Sequence, residues 1–500
     1  MKEVCFSLML FCSACLSSGC GDRNEVSHPA IASAPAQLRE IAWTQGSVEE
    51  AMATAAKDKK LLLVYWGAKW CPYCQALKNT VFTRPDFIEK TRLFVPVYLD
   101  GDLPGAQTWG ETFKVSGYPT LLIVKPDRTE LARMSGGMDL SQYASLLDEA
   151  LQDQRPILGV LATGSGPEEC HRLSYYGWDP QALQLDAARL TGLLSTAAER
   201  CSGSDQVRLQ LAALNFALTE NSEHPSESQQ APLKEQIQHL YSLLDHPEQI
   251  RPAIDLITGL DDALFAVVLK QGSDFSDKFR DRWVARMQEA ADDERFGDAD
   301  RLTAMASVLD VTKALSAGRA IPLNLQQSAR DRVDRALKLD RDRFKRNDLV
   351  NAANIIYDEL GDLDVARAMY LKELPNTRTP YYYMSHLAGI AEKQGKLEEA
   401  LDWISKAYAS SEGPATRLRW GSSYVHALIR LSPNDTARIR AAGLQVAAEM
   451  SSDNAPRGRS RSYVDQIDKA LNGWASTPQR RAVAAEVIAR FPQNTPGQPT

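Results

Sequence analysis

The stretch YWGAKWCPYCQALK, residues 65–78, sets two thiols three positions apart directly after a run of strand-forming residues. Residues 61–66, LLLVYW, are continuously apolar, the pattern of a strand covered on both faces. Gly67 and Ala68 break that pattern. Pro72 is comfortable in the first turn of a helix, where its missing N–H would have had no partner. The spacing therefore predicts Cys71 at or near a helix N-terminus, with the helix running to about Thr80. Unpaired backbone N–H groups and the positive end of the helix dipole stabilise a thiolate more than a thiol. Thiols so placed in CxxC motifs have pKa values of roughly 3.5 to 7.5 instead of about 8.5. Cys74, one helical turn further on, suits the resolving role, in which it attacks a mixed disulfide and releases the partner.

A CxxC pair also supplies half of a tetrahedral zinc site, or closes an inert structural staple. The other half of a zinc site is missing, since the only adjacent Cys/His pair elsewhere is Cys170 with His171, and His171 reads as an ordinary surface or core histidine. The redox couple is the favoured reading, and it calls for no metal and no cofactor. Around it the pattern continues. Ser47 with Glu50 has the form of a capping box opening a helix to about Lys57. Residues 94–100 read as a second strand, 106–113 as a helix, and 117–124 as a strand preceded by an X-Pro bond that invites the cis form. A turn at 126–128, a short strand at 130–134, a glycine pair at 136 and 137, and a helix opened by Asp139 with Gln142 complete the unit.

That order resembles the thioredoxin fold over residues 38–155, and WCPYC with GYPT (117–120) at this separation carries the likeness. Residues 80–87 and 94–97 are similar to the secreted branch that includes the soluble domains of periplasmic thiol:disulfide interchange proteins. The resemblance implies that Cys71 is the attacking thiol, Cys74 the resolving thiol and Pro119 the cis-proline beside them. It further implies that the backbone at Tyr118 pairs with substrate peptide and that Trp70 lies at the docking surface, while Trp66, in the strand, belongs to the core. Protein thiols and disulfides are the implied partners. One departure concerns proton handling: many thioredoxins carry a buried Asp six residues before the first cysteine, and Tyr65 stands there. The Pro-Tyr pair between the cysteines looks like the glutaredoxin version, whose potentials are roughly -200 to -230 mV against about -270 mV for thioredoxin. The direction of electron flow stays open.

The first twenty residues carry one lysine and an apolar stretch at 4–16, too short for the roughly 20 residues of a membrane-crossing helix. They read as a secretion signal. LSSGC, residues 16–20, resembles a bacterial lipobox, which implies acylation of Cys20, although the leucine lies four residues before the cysteine instead of three. Plain secretion is the alternative. On this reading residues 1–19 are a lipoprotein-type signal peptide and 20–37 a flexible tether. The protein then sits on the periplasmic side of a bacterial envelope, held to the membrane by lipid. A net charge of -7 over 500 residues gives no footprint for nucleic acid.

From about Pro156 strand-like runs disappear, and residues 156–345 read as a helical domain. Leu183, Ala187, Leu190, Leu194 and Ala197 share one helix face, and Val207, Leu211, Leu214 and Leu218 another. Residues 220–232 read as a surface loop. Within 346–435, Gly361 pairs with Gly395, Leu363 with Leu397 and Ala366 with Ala400, each at a spacing of 34, with Ala407, Leu387, Ala388 and Ala391 also in phase. That period resembles the tetratricopeptide repeat, whose concave face binds extended protein; the resemblance implies a protein partner on these helices. Residues 436–500 read as further helices and a disordered tail. Cys170 and Cys201 bracket the first helix of the region and either pair or stay free, depending on whether their Cα atoms lie within about 7 Å. The chain thus reads as an α/β thioredoxin fold followed by an all-α repeat region. Two functions compete: an exported thiol:disulfide oxidoreductase, and an envelope adaptor in which the thioredoxin fold has become a docking module.

Overall fold

The computed structural model describes residues 40–492 apart from 116, 136–139, 221–226, 261, 317, 340–342 and 451–457. The signal, Cys20, the whole tether, Gly136, Gly137, Asp139 and residues 493–500 of the tail lie outside the described residues.

Helix α1 (Val48–Asp58) starts at the capping box, in which the Glu50 N–H donates to Ser47 Oγ at 3.1 Å and the Ser47 N–H to Glu50 Oε2 at 3.0 Å. Strand β1 (Leu61–Gly67) follows, fully buried along its length. Its alternation explains the unbroken apolar run. Leu61, Leu63 and Tyr65 belong to the core on one face of the sheet, and Leu62, Val64 and Trp66 to the core on the other. The remaining elements are α2 (Pro72–Thr80), α3 (Pro85–Thr91), β2 (Phe94–Asp100), α4 (Pro104–Thr112), β3 (Thr120–Val124), β4 (Glu130–Ser135) and α5 (Leu140–Gln152). The sheet order is β2-β1-β3-β4, with β1 parallel to β2 and antiparallel to β3, and β4 antiparallel to β3. Pro96, which has no N–H to give a ladder, lies in β2, at the edge of this sheet. Helix α3 is an element that the alternating pattern did not separate from its surroundings; Pro85 occupies its first turn.

After β4 every regular element among the described residues is a helix. Leu183 does not share a helix with Ala187: it ends the short Pro180–Leu183 helix, Gln184 turns into the left-handed region, and Asp186 caps a new helix, Ala187–Arg200. Cys170 and Cys201 accordingly bracket two helices, and two more, Ile157–Thr163 and Pro167–Ser174, begin before them. Their Cα atoms are 5.7 Å apart and their sulfurs are bonded. The expected loop at 220–232 is shorter than the polar composition implied, because the Glu227–Leu243 helix takes in Pro232 in its second turn. At that position Pro232 lies past the four N–H groups that have no partner in the helix, so the helix forgoes one hydrogen bond there.

Residues 343–488 form four successive helix pairs, beginning with Arg343–Leu360 and Leu363–Glu373, then Pro380–Lys393 and Leu397–Ser410. Gly361 and Gly395, 34 residues apart, each close the first helix of a pair at φ +72°. The following N–H groups reach back to the helix, Asp362 to the Tyr357 carbonyl and Lys396 to the Ala391 carbonyl, both at 2.8 Å. Ala366, Ala400 and Ala407 are buried at the helix contacts. Leu397 is 42% exposed rather than core, the buried positions of its turn being Ala400 and Leu401.

The helical region touches the sheet domain at both of its ends. Near its start, the buried Arg172 guanidinium donates to the carbonyls of Leu131 (2.7 Å), Asp153 (2.8 Å) and Arg155 (2.8 Å), at β4 and just beyond α5. His171 Nδ1 lies 2.8 Å from Glu149 Oε1 of α5; this partner raises the imidazole pKa. Near its end, Ser460 donates to Gln107 Oε1 of α4 at 3.1 Å.

The backbone geometry separates two glycines of one helix-turn-helix. Gly395→Ala forces a left-handed residue to carry a Cβ and costs about 1–2 kcal/mol. Gly389→Ala, in the helix interior with nothing within 4 Å of the added atom, gains up to about 1 kcal/mol. Chemical-unfolding midpoints that moved the same way in both variants would contradict this assignment.

Candidate functional site

Cys71 is the N-cap residue of α2, with extended backbone at φ -74° and ψ 118°. Its Sγ accepts from the Cys74 N–H at 3.1 Å, so one of the helix's unpaired donors is spent on this sulfur. Cys71 and Cys74 are bonded to each other, with Cα atoms 5.1 Å apart. The Tyr118–Pro119 bond is cis, and Pro119 is buried. Tyr118 stacks on Trp66 with ring centres 5.7 Å apart and meets the edge of Trp70 at 5.4 Å. Trp66 is 3% exposed, and Trp70 is half-buried.

The structure also places around Cys71 a set of residues from the far end of the chain that the sequence did not single out. A cavity of about 270 Å³ has Trp70, Cys71, Tyr73 and Tyr118 on one wall and residues of three helices of the helical region on the other. Those helices are Arg343–Leu360, which brings Asn347 and Asn351, Pro380–Lys393, which brings Tyr382 and Tyr383, and Pro414–Leu431, which brings Arg419. Cys71 is 3% exposed, yet it lines this cleft; Cys74 is fully buried and does not. Entry to the pair is therefore through Cys71 alone. A signal for the second wall did exist: residues 381–383 are three consecutive tyrosines, and three successive helical positions cannot all face one core. Tyr381 and Tyr383 are buried, and Tyr382 turns toward Trp70, with ring centres 6.5 Å apart.

Asp102, on the turn after β2, fixes that wall in place. Its carboxylate sits at the N-terminus of the Pro414–Leu431 helix, where the Thr416 hydroxyl donates to it at 3.4 Å and the Thr416 backbone N–H also bonds to it. Gly413 is required here, because a Cβ would collide with the Asp102 carboxyl. Burial pushes the Asp102 pKa up to about 6, and the neighbouring charge of Asp100 adds to the rise. Thr416 pulls the other way, as does the Trp70 indole N–H, which faces the carboxylate without a hydrogen bond of ordinary geometry.

Tyr65 lies fully buried among Trp43, Phe82 and Tyr98, its ring 5.3 Å from that of Tyr98. Its hydroxyl has no partner, and burial raises its pKa far above the ordinary tyrosine value, so it does not exchange protons near neutral pH. Lys78, four residues after Cys74, donates to Tyr98 Oη at 3.1 Å, and burial lowers its pKa.

Residues 48–151 match the family of thioredoxin-like domains. This part of the chain is a thioredoxin-like domain. The matched residues take in Cys71, Cys74 and Pro119 and end before the helical region. A solved DsbH oxidoreductase aligns at 20% identity over 26% of this chain and 94% of that chain, with a TM-score of 0.21. No curated protein matches the chain. Among the described residues no helix is long and apolar enough to cross a membrane, and no group of three or more His, Cys, Asp or Glu is placed to hold a metal ion.

The raised pKa of Asp102 fixes the sign of a pH effect. Between the unfolded value of about 3.9 and the folded value near 6, the folded protein holds a proton that the unfolded chain has lost. This group's contribution to stability is present below pH 4 and is lost as pH rises through 6. Asp102→Asn removes that slope. The difference in thermal midpoint between wild type and variant should therefore shift against wild type from pH 4 to pH 7; a constant difference would refute the burial of the carboxylate.

Proposed function

We propose that this protein is an exported thiol:disulfide oxidoreductase in which Cys71 exchanges disulfides with protein thiols and Cys74 resolves the product. The observation that carries it is the exclusive placement of Cys71 at the cleft: one sulfur capping a helix, beside the cis-proline, with its partner sulfur buried behind it. The thioredoxin-like fold of residues 48–151 supports the same chemistry. A substrate thiolate attacks Cys71 Sγ, the Cys71–Cys74 bond breaks, and its electron pair leaves on Cys74, which takes up a proton. In the reverse direction Cys74 attacks the mixed disulfide and frees the substrate. Helix-dipole stabilisation of the Cys71 thiolate favours it as the leaving and attacking group. The helices of residues 343–488 supply the opposite wall of the site and bind the protein partner.

Export and acylation at Cys20 rest on the first twenty residues. The Cys170–Cys201 disulfide supports an oxidising compartment. Cys20→Ala should move the protein from the membrane fraction to the soluble fraction; retention in the membrane would count against the lipid anchor.

The 3% exposure of Cys71 favours a second reading, an envelope adaptor whose thioredoxin fold serves as a docking module. One set of variants separates the two. Cys71→Ser should abolish reduction of insulin disulfides by at least a hundredfold, and Cys74→Ser should accumulate mixed disulfides on Cys71. Full activity in Cys71→Ser would sink the redox reading, and partners captured unchanged by the double variant would favour the adaptor.

A further inference from the structure

The cleft has a chemistry of its own beyond the two sulfurs. Arg419 donates to Tyr382 Oη at 3.0 Å and lies over the rings of Tyr382 and Trp420, with its guanidinium carbon 5.2 and 5.1 Å from their centres. Among the described residues its side chain meets tyrosine and tryptophan groups, and no carboxylate pairs with it. A half-buried guanidinium flanked by aromatic rings, with no carboxylate partner among the described residues, is placed to receive one. Across the same cavity Asn351, which lies beside Tyr73, keeps its Oδ1 buried and without a donor. Asn347 Oδ1, by contrast, is already taken by the Tyr383 hydroxyl at 2.6 Å. The cleft thus offers one cationic site and one acceptor, with Cys71 on its wall, in about 270 Å³. That volume is at the small end of ligand pockets, below the roughly 300–1,000 Å³ typical of drug-sized molecules.

We propose that this cleft binds a small amino-acid thiol or its disulfide, with the carboxylate on Arg419, an N–H group on Asn351 and the sulfur presented to Cys71. Resting on the oxidoreductase reading, this makes the small thiol the co-reactant that resets the cysteine pair between protein substrates. The balance is that of two-electron exchange. A thiolate RS⁻ attacks Cys71 Sγ, forming R–S–S–Cys71 as the Cys71–Cys74 bond breaks and Cys74 takes a proton. A second RS⁻ attacks the sulfur of R, releasing RSSR and leaving Cys71 as thiolate. Two thiols are oxidised and one disulfide is reduced; the small disulfide drives the same steps in reverse.

Cysteine and cysteamine share a thiol and an amine and differ by the carboxylate, so their rates of reducing the full-length oxidised protein, read by thiol trapping and mass spectrometry, isolate the Arg419 contact. Per thiolate, cysteine should react about tenfold faster than cysteamine in wild type. The ratio should fall toward one in Arg419→Gln and be partly retained in Arg419→Lys. Partial retention in Arg419→Lys separates loss of the guanidinium contact from misfolding, which would bring the ratio to one in both variants. A wild-type ratio near one, or a ratio unmoved by Arg419→Gln, overturns the proposal. So does a variant that slows oxidation of a reduced, unfolded protein while leaving the ratio intact, which would assign the cleft to polypeptide. Failure of dithiothreitol itself to reduce the pair would bring down the oxidoreductase reading as well.

Discussion

One sulfur at the mouth of a helix organises the chemistry of this molecule. Cys71 ends an extended segment and caps α2, and its Sγ takes the Cys74 N–H that the helix cannot use. This follows from the order strand, glycine, proline. A strand buried on both faces delivers the chain to the edge of the sheet, Gly67 ends it, and Pro72 allows a helix to begin at once. The dipole then acts on whatever stands at the cap, and here that is a cysteine.

The second constraint is imposed from a distance. The carboxylate of Asp102 supplies the N-terminal cap of a helix more than three hundred residues further on, a cap that Gly413 has no side chain to give. A thioredoxin-like turn and the helical region are thereby joined beside the active sulfur. The cost appears in the raised pKa of Asp102, a carboxyl withdrawn from water with Asp100 as its neighbour. Arg172 performs the corresponding task at the other end, satisfying carbonyls at β4 and beyond α5 that would otherwise lack donors. With both ends of the helical region fastened, the cleft over Cys71 has two walls and a defined size.

Tyr65 shows how the interior of this domain departs from the pattern its surface motif evokes. Where a carboxylic acid would serve as a proton carrier, a phenol stacks into an aromatic cluster with an unpartnered hydroxyl. The proton that follows the electrons must travel by another route. Lys78, on the helix face that carries Cys74 and held against Tyr98, is a cation whose burial already weakens its grip on its proton.

Much of the local structure was legible in the amino-acid order. The doubly apolar run marked β1, Ser47 with Glu50 marked the start of α1, Pro72 marked the start of α2, and glycines 34 apart marked two equivalent helix ends. Each of these is decided by neighbours within a few residues, through backbone sterics and the hydrogen bonds of helix termini. The break at Gln184 and the helix that takes in Pro232 escape a sequence reading for the same reason, since amphipathic spacing and polar composition do not register a single left-handed residue or a proline carried inside a helix by its neighbours. What tertiary structure alone decided is the second wall: Asn351, Tyr382 and Arg419 come from three separate helices, and their meeting at Cys71 depends on how those helices pack and where Asp102 and Arg172 anchor them. Side-chain periodicity says which face of a helix is buried, but carries no record of which distant surface will cover it.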